Sequence, residues 1–480
     1  MKVLTSATAL EELSHDQGMI SLRPAAAFVA EDDGEVVSVL GDARRRSLTV
    51  TPRGAGTSIP SQAVGTGVIL LQERRSPVLG KGYATCGSSV VKADLNRELD
   101  GHEVWVPPDP SSYQSCTVGG MVANNSSGAR TLKYGSTIDF VKELEVVLPE
   151  EGLKTLKQMT VEQALDGDPT TRKVARLIVE NLKSIKRERP RATKNSSGYR
   201  LERVVRESVF DLPKLFVGSE GTLGIITNIT FTTPPKPEAK ALLVVETSLP
   251  ELDRVTALFR RLGPSAVELV DKSVFRQTGT EDRLQTLSRT DEEYLVFCEL
   301  DGGEDDVRRT LEVVSSSEIA GLDPLAVTDP GRMTAAWEAR NETLTLAAEI
   351  RRGSRRLLPG VEDLTVPPEK LGALVSLLKD QFESRGLSYI SYGHAGDANL
   401  HTRPLLDPDS SADRGTLEEI MEECFEAVWR MGGTMSGEHG DGMLRAKFVE
   451  RQYPETHALM KQIRQTYDPK GLLNPGVKVI

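Results

Sequence analysis

Apolar residues fall into two rhythms along this 480-residue chain, and the change between them divides it. In the first half, apolar runs at 26–29, 67–71, 83–86, 141–148 and 215–232 read as strands between loops marked by Gly and Pro, and 47–52 is strand-like. Helical spacing covers 32–46 and 171–188. Pro234, Pro235 and Pro237 then interrupt the pattern and mark a boundary. Beyond them come a strand at 241–247, a helix at 251–262 and a strand at 266–270. The same order returns at 363–366, 369–385 and 388–392, and a strand–helix pair at 294–300 and 305–317 lies between. Two β-α-β units around such a pair predict an antiparallel sheet backed by helices. From about residue 440 the tail reads as helical. The expected class is α+β, divided at 1–235, 236–440 and 441–480.

Composition narrows the picture without redirecting it. A chain this long exceeds what one core supports, so two or three domains are expected. With 38% hydrophobic and 27% charged residues it reads as an ordinary soluble globular protein. A net charge of -11 argues against a general nucleic-acid binder, which needs a basic face. No apolar run reaches the ~20 residues of a spanning helix. The opening residues, with Glu11, Glu12, His15 and Asp16, lack the apolar core of a secretory signal, so a cytoplasmic location is expected, with any membrane association peripheral. The cysteines (Cys86, Cys116, Cys298, Cys424) are far apart and form no Cys-x-x-Cys pair, so no iron–sulfur cluster is written into the chain.

The candidate chemistry is concentrated in two glycine-dense segments that hold three of the six histidines. One runs Tyr392-Gly393-His394-Ala395-Gly396-Asp397-Ala398-Asn399-Leu400-His401, the other Gly437-Glu438-His439-Gly440-Asp441-Gly442. A tight turn at 395–398 would make the first a hairpin, at the edge of the sheet, with His394 and His401 side by side. With Glu438 they form two imidazoles and a carboxylate, a set suited to a catalytic divalent metal with an open position. His439, next in the chain to Glu438, reads more economically as a base than as a fourth ligand. His15, His102 and His457 stand alone and read as surface or structural groups.

Three further segments use glycine where ordinary elements place side chains. In Arg53-Gly54-Ala55-Gly56-Thr57-Ser58, backbone amides and two hydroxyls converge as they would around a pyrophosphate, although the spacing is not the Rossmann fingerprint. The stretch from Pro107 and Pro108 through Thr117, Gly119, Gly120, Asn124, Ser127 and Gly128 to Tyr134 mixes small residues with oriented polar ones. The run 217–227 carries Glu220, Gly221, Gly224 and Ile225. One such stretch reads as a turn or bulge. Three in one domain suggest a dinucleotide lying across it.

In combination with Lys194-Asn195-Ser196-Ser197-Gly198-Tyr199 and Leu473-Asn474-Pro475-Gly476, these motifs resemble the FAD-linked D-2-hydroxyacid dehydrogenases of the vanillyl-alcohol-oxidase superfamily, from about Arg23 to Val479. The resemblance implies a two-subdomain FAD-binding domain and a ferredoxin-like antiparallel-sheet cap domain, with the tail packing back on the former. It implies that residues 53–58 hold the FAD pyrophosphate, and that Thr117, Gly119, Gly120, Asn124, Ser127 and Gly128 line the flavin. Glu220, Gly221, Gly224 and Ile225 would contact the adenosine side, and Asn474 would reach the flavin. It also implies His394, His401 and Glu438 as ligands of one zinc or manganese ion, His439 as base, and Arg340 as the anchor of the substrate carboxylate.

On this resemblance a small D-2-hydroxy acid is oxidised to the 2-oxo acid with hydride transfer to flavin N5, D-lactate first among substrates, glycolate second and D-2-hydroxyglutarate third. Leu344 and Val361 stand, by rough alignment, where the 2-hydroxyglutarate branch carries polar groups, which favours a monocarboxylate. A pocket for an anion must be locally positive in so acidic a chain, and Arg340, Arg351 and Arg352 are the candidates. No histidine lies in the 53–58 loop, so non-covalent FAD is expected. Ala398 replaces the family's usual Gly, and Val477 displaces its Lys, leaving Lys478 without an assigned role. The electron acceptor would be a separate iron–sulfur subunit, a quinone, a cytochrome or oxygen. Two other readings stay open: a flavin subunit that only passes electrons, and a flavin-free metal hydrolase.

Overall fold

The computed structural model describes residues 1–73 and 76–480, apart from the side chains at 344, 345 and 347–349. Three sheets carry the fold among the described residues. The first orders Lys2–Leu4, Ala26–Ala30, Val68–Gln72 and Val50–Pro52, with the last three parallel. Helix Asp33–Arg45 connects two of these strands and buries Val36, Val39, Leu40 and Ala43. The Asp32 carboxylate caps its first turn by accepting from Glu35 N.

The second sheet is antiparallel and seven-stranded, centred on Tyr83–Gly87, Ile225–Thr232, Val141–Leu148 and Gly152–Thr160. The third holds Leu325–Val327, Ala239–Thr247, Tyr294–Gly302, Ala266–Asp271, Tyr389–His394 and Asn399–Leu406 in that spatial order, all antiparallel. Leu144 and Ile229 of the second sheet share one continuous core with Val267 and Leu269 of the third. Among the described residues no helix is long and apolar enough to cross a membrane.

Local pattern misjudged three of the elements it named and passed over others, among them strand Gly152–Thr160 and helices Pro330–Glu349 and Ser411–Arg430. The stretch 171–188 is two helices, Pro169–Glu180 and Leu182–Glu188, because the chain breaks at Asn181, whose side chain donates back to Leu177 O. Residues 215–232 are not one strand. They form the short helix Pro213–Phe216, a glycine loop, and then the strand Ile225–Thr232. The histidine hairpin lies inside its sheet, not at the edge: Tyr389–His394 pairs with Ala266–Asp271, and Asn399–Leu406 pairs with both Leu364–Thr365 and Arg355–Leu357. Both strands of the hairpin are buried almost throughout, as interior strands of a covered sheet are.

The tail closes the molecule by hydrogen bonds to the first half. Val50 bridges Leu473, and Asn474 N donates to Val50 O. The fully buried Lys478 donates to Glu220 Oε1 at 2.8 Å, Asp441 Oδ2 at 3.2 Å and Ser196 O at 3.0 Å, so it joins three distant segments. Removing this cation strands two buried carboxylates. We expect Lys478→Met to destabilise the protein by about 3–5 kcal/mol, read as a lowered guanidinium midpoint. A shift equivalent to under ~0.5 kcal/mol, the usual effect of a surface substitution, would show that the cluster does not hold the tail.

Candidate active site

The hairpin register sets the imidazoles. Tyr392 faces His401 across the strands and His394 faces Asn399, so His394 and His401 project from the same face, diagonally placed, with ring centroids 5.1 Å apart. The turn 395–397 is closed by Ala398 at φ 49, a left-handed position that glycine would occupy without strain. The register is unbroken there, so alanine is accommodated. Glu438 and His439 arrive on the loop after helix Ser411–Arg430, and Asp363 pins that loop. Its carboxylate accepts from Glu438 N, His439 N, Ser436 Oγ and Asn399 Nδ2. Gly440 (φ 87) completes the turn, and a Cβ there would lie 2.5 Å from Glu220 Oε1.

Both imidazoles converge on one oxygen. His394 Nε2 and His401 Nε2 each lie 3.1 Å from Glu438 Oε1. Their other nitrogens are oriented from behind, His394 Nδ1 by Glu268 Oε1 at 2.8 Å and His401 Nδ1 by Glu362 O at 2.7 Å. Histidine metal ligands are commonly held this way, through a carboxylate or carbonyl on the far nitrogen. The second oxygen, Glu438 Oε2, accepts from Ser127 Oγ at 2.7 Å and Lys194 Nζ at 3.2 Å. His439 stacks on His401, with centroids 5.0 Å apart. Its Nδ1 lies 3.4 Å from Glu362 Oε1 and its Nε2 3.9 Å from Glu438 Oε1.

By proximity alone, Asp363, His401, Glu438 and His439 offer atoms within 4.8 Å of one another, a group that includes Asp363 and omits His394. The hydrogen bonds favour a different set. Asp363 is already committed to backbone amides and Ser436, whereas His394 Nε2 meets only the Glu438 oxygen. His394, His401 and Glu438 therefore fit a divalent cation better.

The charges around this cluster are strongly displaced. Burial would raise Glu438, but Lys194 and His394 hold it well below the ordinary carboxylate range. Burial would lower His394, yet Glu268 raises it to about 9. Glu268 is drawn to about 2, as His394 and Arg340 overcome its burial. Burial lowers His401. His439 is raised despite burial, by Asp363 and Glu362.

A cleft of about 1460 Å³ joins this cluster to the glycine loops. His394, His401, Glu438, His439 and Arg340 form one end. Residues 53–58, Thr117, Gly119, Gly120, Asn124 and Ser127, with Gly221 and Gly224, line the rest. The wall suits an extended nucleotide: Gly56 turns the loop at φ 72, and Gln62 Oε1 is a buried acceptor without a partner among the described residues.

Several side chains expected to contact the cofactor are engaged with the protein itself, at the wall or behind it. The Arg53 guanidinium donates to Ala63 O and His15 O, bracing its own loop. Glu220 lies at the wall, but its carboxylate is taken by Lys478, Asp441 N and Gly442 N. Asn474 spends its amide on Gln62 O and Glu220 O, and Ile225 packs in the core with Val50 and Leu70. Tyr134 donates to Asp301 Oδ2, Gly128 packs against Asp109 O, and Pro108 is buried. Arg351 and Arg352 are exposed and outside the cleft wall. Val361 is fully buried in the core, and the Leu344 side chain lies outside the described residues, so neither supports the choice of a monocarboxylate.

The structure also recruits Glu268, Glu362, Asp363 and Arg403, which sequence reasoning passed over, and gives Lys194, quoted there only as part of a motif, a place at Glu438. Glu268 left a local signal, as an acid flanked by apolar residues within the strand Ala266–Asp271.

Comparison with known proteins agrees with this geometry. Residues 24–157 match the FAD binding domain family, and residues 235–477 match the family described as FAD linked oxidases, C-terminal domain. The chain is 28% identical to glycolate oxidase subunit GlcD of Bacillus subtilis, over 94% of this chain and 88% of that protein. It is 29% identical to a D-lactate dehydrogenase of Archaeoglobus fulgidus, over 95% and 93%. The fold is that of p-cresol methylhydroxylase, with a TM-score of 0.71 at 14% identity over 100% of this chain and 94% of that one. With both halves matched and the cleft lying between them, the chain belongs to the FAD-linked oxidases, a family of oxidoreductases.

Proposed function

We propose that this protein oxidises a small D-2-hydroxy acid to the 2-oxo acid, with FAD bound non-covalently along the cleft and a zinc or manganese ion held by His394, His401 and Glu438. The observation that carries this reading is the convergence of both imidazoles on Glu438 Oε1 at the end of the cleft that the glycine loops line. Domains at 1–235, 236–440 and 441–480 accord with the sheets. The order Leu325–Val327, Ala239–Thr247, Tyr294–Gly302, Ala266–Asp271, with helices Leu252–Arg260 and Glu304–Ser316, supports a ferredoxin-like cap.

FAD, when bound, supplies the hydride acceptor, and a divalent cation supplies acidity to a nearby hydroxyl. The chain's residues do the rest. Arg340, held by Glu268 with its Nε unpaired, would meet a carboxylate and so orient the substrate. With the His439 Nδ1 proton directed to Glu362, its Nε2 is free to take the hydroxyl proton. Glu362, itself paired with Arg445, orients that ring. Lys194 and Ser127 turn the second Glu438 oxygen away from the imidazoles. The reduced cofactor would pass electrons to a separate iron–sulfur subunit, a quinone or a cytochrome.

Under anaerobic conditions D-lactate should bleach the flavin, and His439→Ala should slow bleaching by about 10²–10⁴-fold with FAD still bound. Reduction at the wild-type rate in that variant would remove His439 from its assigned role. Metal affinity provides a second test. A cation must displace the proton that His394 carries below about 9, so affinity should rise with pH and level off above that value. Chelator competition from pH 6.5 upward reads this directly, and a flat profile argues against His394 as a ligand.

A further inference from the structure

Arg403 lies on Asn399–Leu406, two residues after His401, so strand alternation puts both on one face, and both line the cleft. Its Nε is buried without a partner, and among the described residues its guanidinium enters no hydrogen bond or ion pair. The nearby acid Glu362 is already committed to Arg445, His439 and Gly360 N. Arg340, only 5% exposed, gives Nη2 to Glu268 and Nη1 to Asn341 Oδ1 at 3.4 Å but keeps a buried Nε without a partner. The two guanidiniums come from different elements, helix Pro330–Glu349 and the hairpin, and meet at Tyr392. Arg340 lies 5.9 Å from that ring's centroid, and Arg403, more than Arg340, opposes the upward push of burial on the phenol.

Arginine donors buried without acceptors are costly unless an anion arrives to meet them. A single small carboxylate satisfies one guanidinium fork, and here the unpaired Arg403 stands in addition to the partly committed Arg340 with its free Nε. The rest of the chain, at net charge -11, repels anions, so an unpaired cation at this end of the cleft selects for them locally. We propose that Arg403 is the anchor for a second carboxylate, so that the preferred substrate is a 2-hydroxy dicarboxylic acid with one carboxylate on Arg340 and the other on Arg403. This deepens the hydroxy-acid reading above and rests on it for the chemistry, though not for binding.

The test uses the FAD-loaded, metal-loaded protein in two measurements. Calorimetric titration compares 2-oxoglutarate with pyruvate as product-like probes, and anaerobic flavin reduction compares D-2-hydroxyglutarate with D-lactate. The dicarboxylates should be favoured at least tenfold in both. Arg403→Met should reduce that preference by about 10- to 100-fold, and Arg403→Lys should retain part of it. Equal affinity for the two probes, or a preference unchanged in Arg403→Met, overturns the proposal. Reduction by D-lactate without a dicarboxylate preference overturns this inference and leaves the oxidation standing. A flavin that no hydroxy acid reduces, with Arg403-dependent 2-oxoglutarate binding intact, refutes the oxidation and leaves the two-carboxylate site.

Discussion

The geometry of the site depends on how one carboxylate is shared. Glu438 presents Oε1 to His394 and His401 while Ser127 and Lys194 hold Oε2. Those partners come from three places, the histidine hairpin, the segment that lines the cleft and the Lys194 motif, and Glu438 itself comes from a fourth, the loop after helix Ser411–Arg430. A buried carboxylate is tolerated only when its lone pairs are met, so each segment must be in place for the others to be stable there. The same requirement fixes which oxygen faces the imidazoles.

Around that point the molecule is tied by charge as much as by apolar contact. Arg130, from the first half, reaches Asp109 and also Glu299 on the third sheet, while Lys133 and Tyr134 meet Asp301 beside it. These contacts hold the two halves against each other where the cleft runs between them, which is where ligand sites preferentially form. Lys478 performs a similar role for the tail through Glu220 and Asp441. The cleft end is therefore built on buried ion pairs with little slack, and groups left unpaired there, such as Arg403, stand out.

Legibility from sequence followed the range of each interaction. The histidine hairpin was readable because turn chemistry and strand alternation are local, and these place His394 and His401 on one face without help from elsewhere. Glycine clusters marked the loops for the same reason. Motif resemblance assigned contacts to several residues whose side chains the structure engages elsewhere. Asn474, Ile225 and Tyr134 sit next to the wall, but their side chains are spent on structure, and the Glu220 carboxylate is spent in the same way. The break at Asn181 was missed because apolar residues continue across it at Leu177, Ile178 and Leu182, and 215–232 was read as one strand, its glycines notwithstanding, because apolar residues flank them on both sides.

The sequence by itself determined the class of fold, the position of part of its strands and helices, the cluster of acid and imidazole groups, and the family. These depend on short-range periodicity, turn residues and contiguous motifs. Only the tertiary structure decided what stands behind each ligand and which charges are left over. Glu268 reaches His394 from 126 residues away and Ser127 reaches Glu438 from 311, separations that no local pattern encodes. Whether an arginine is paired, as Arg340 is to Glu268, or left facing the cleft, as Arg403 is, depends on the packing of distant strands and helices.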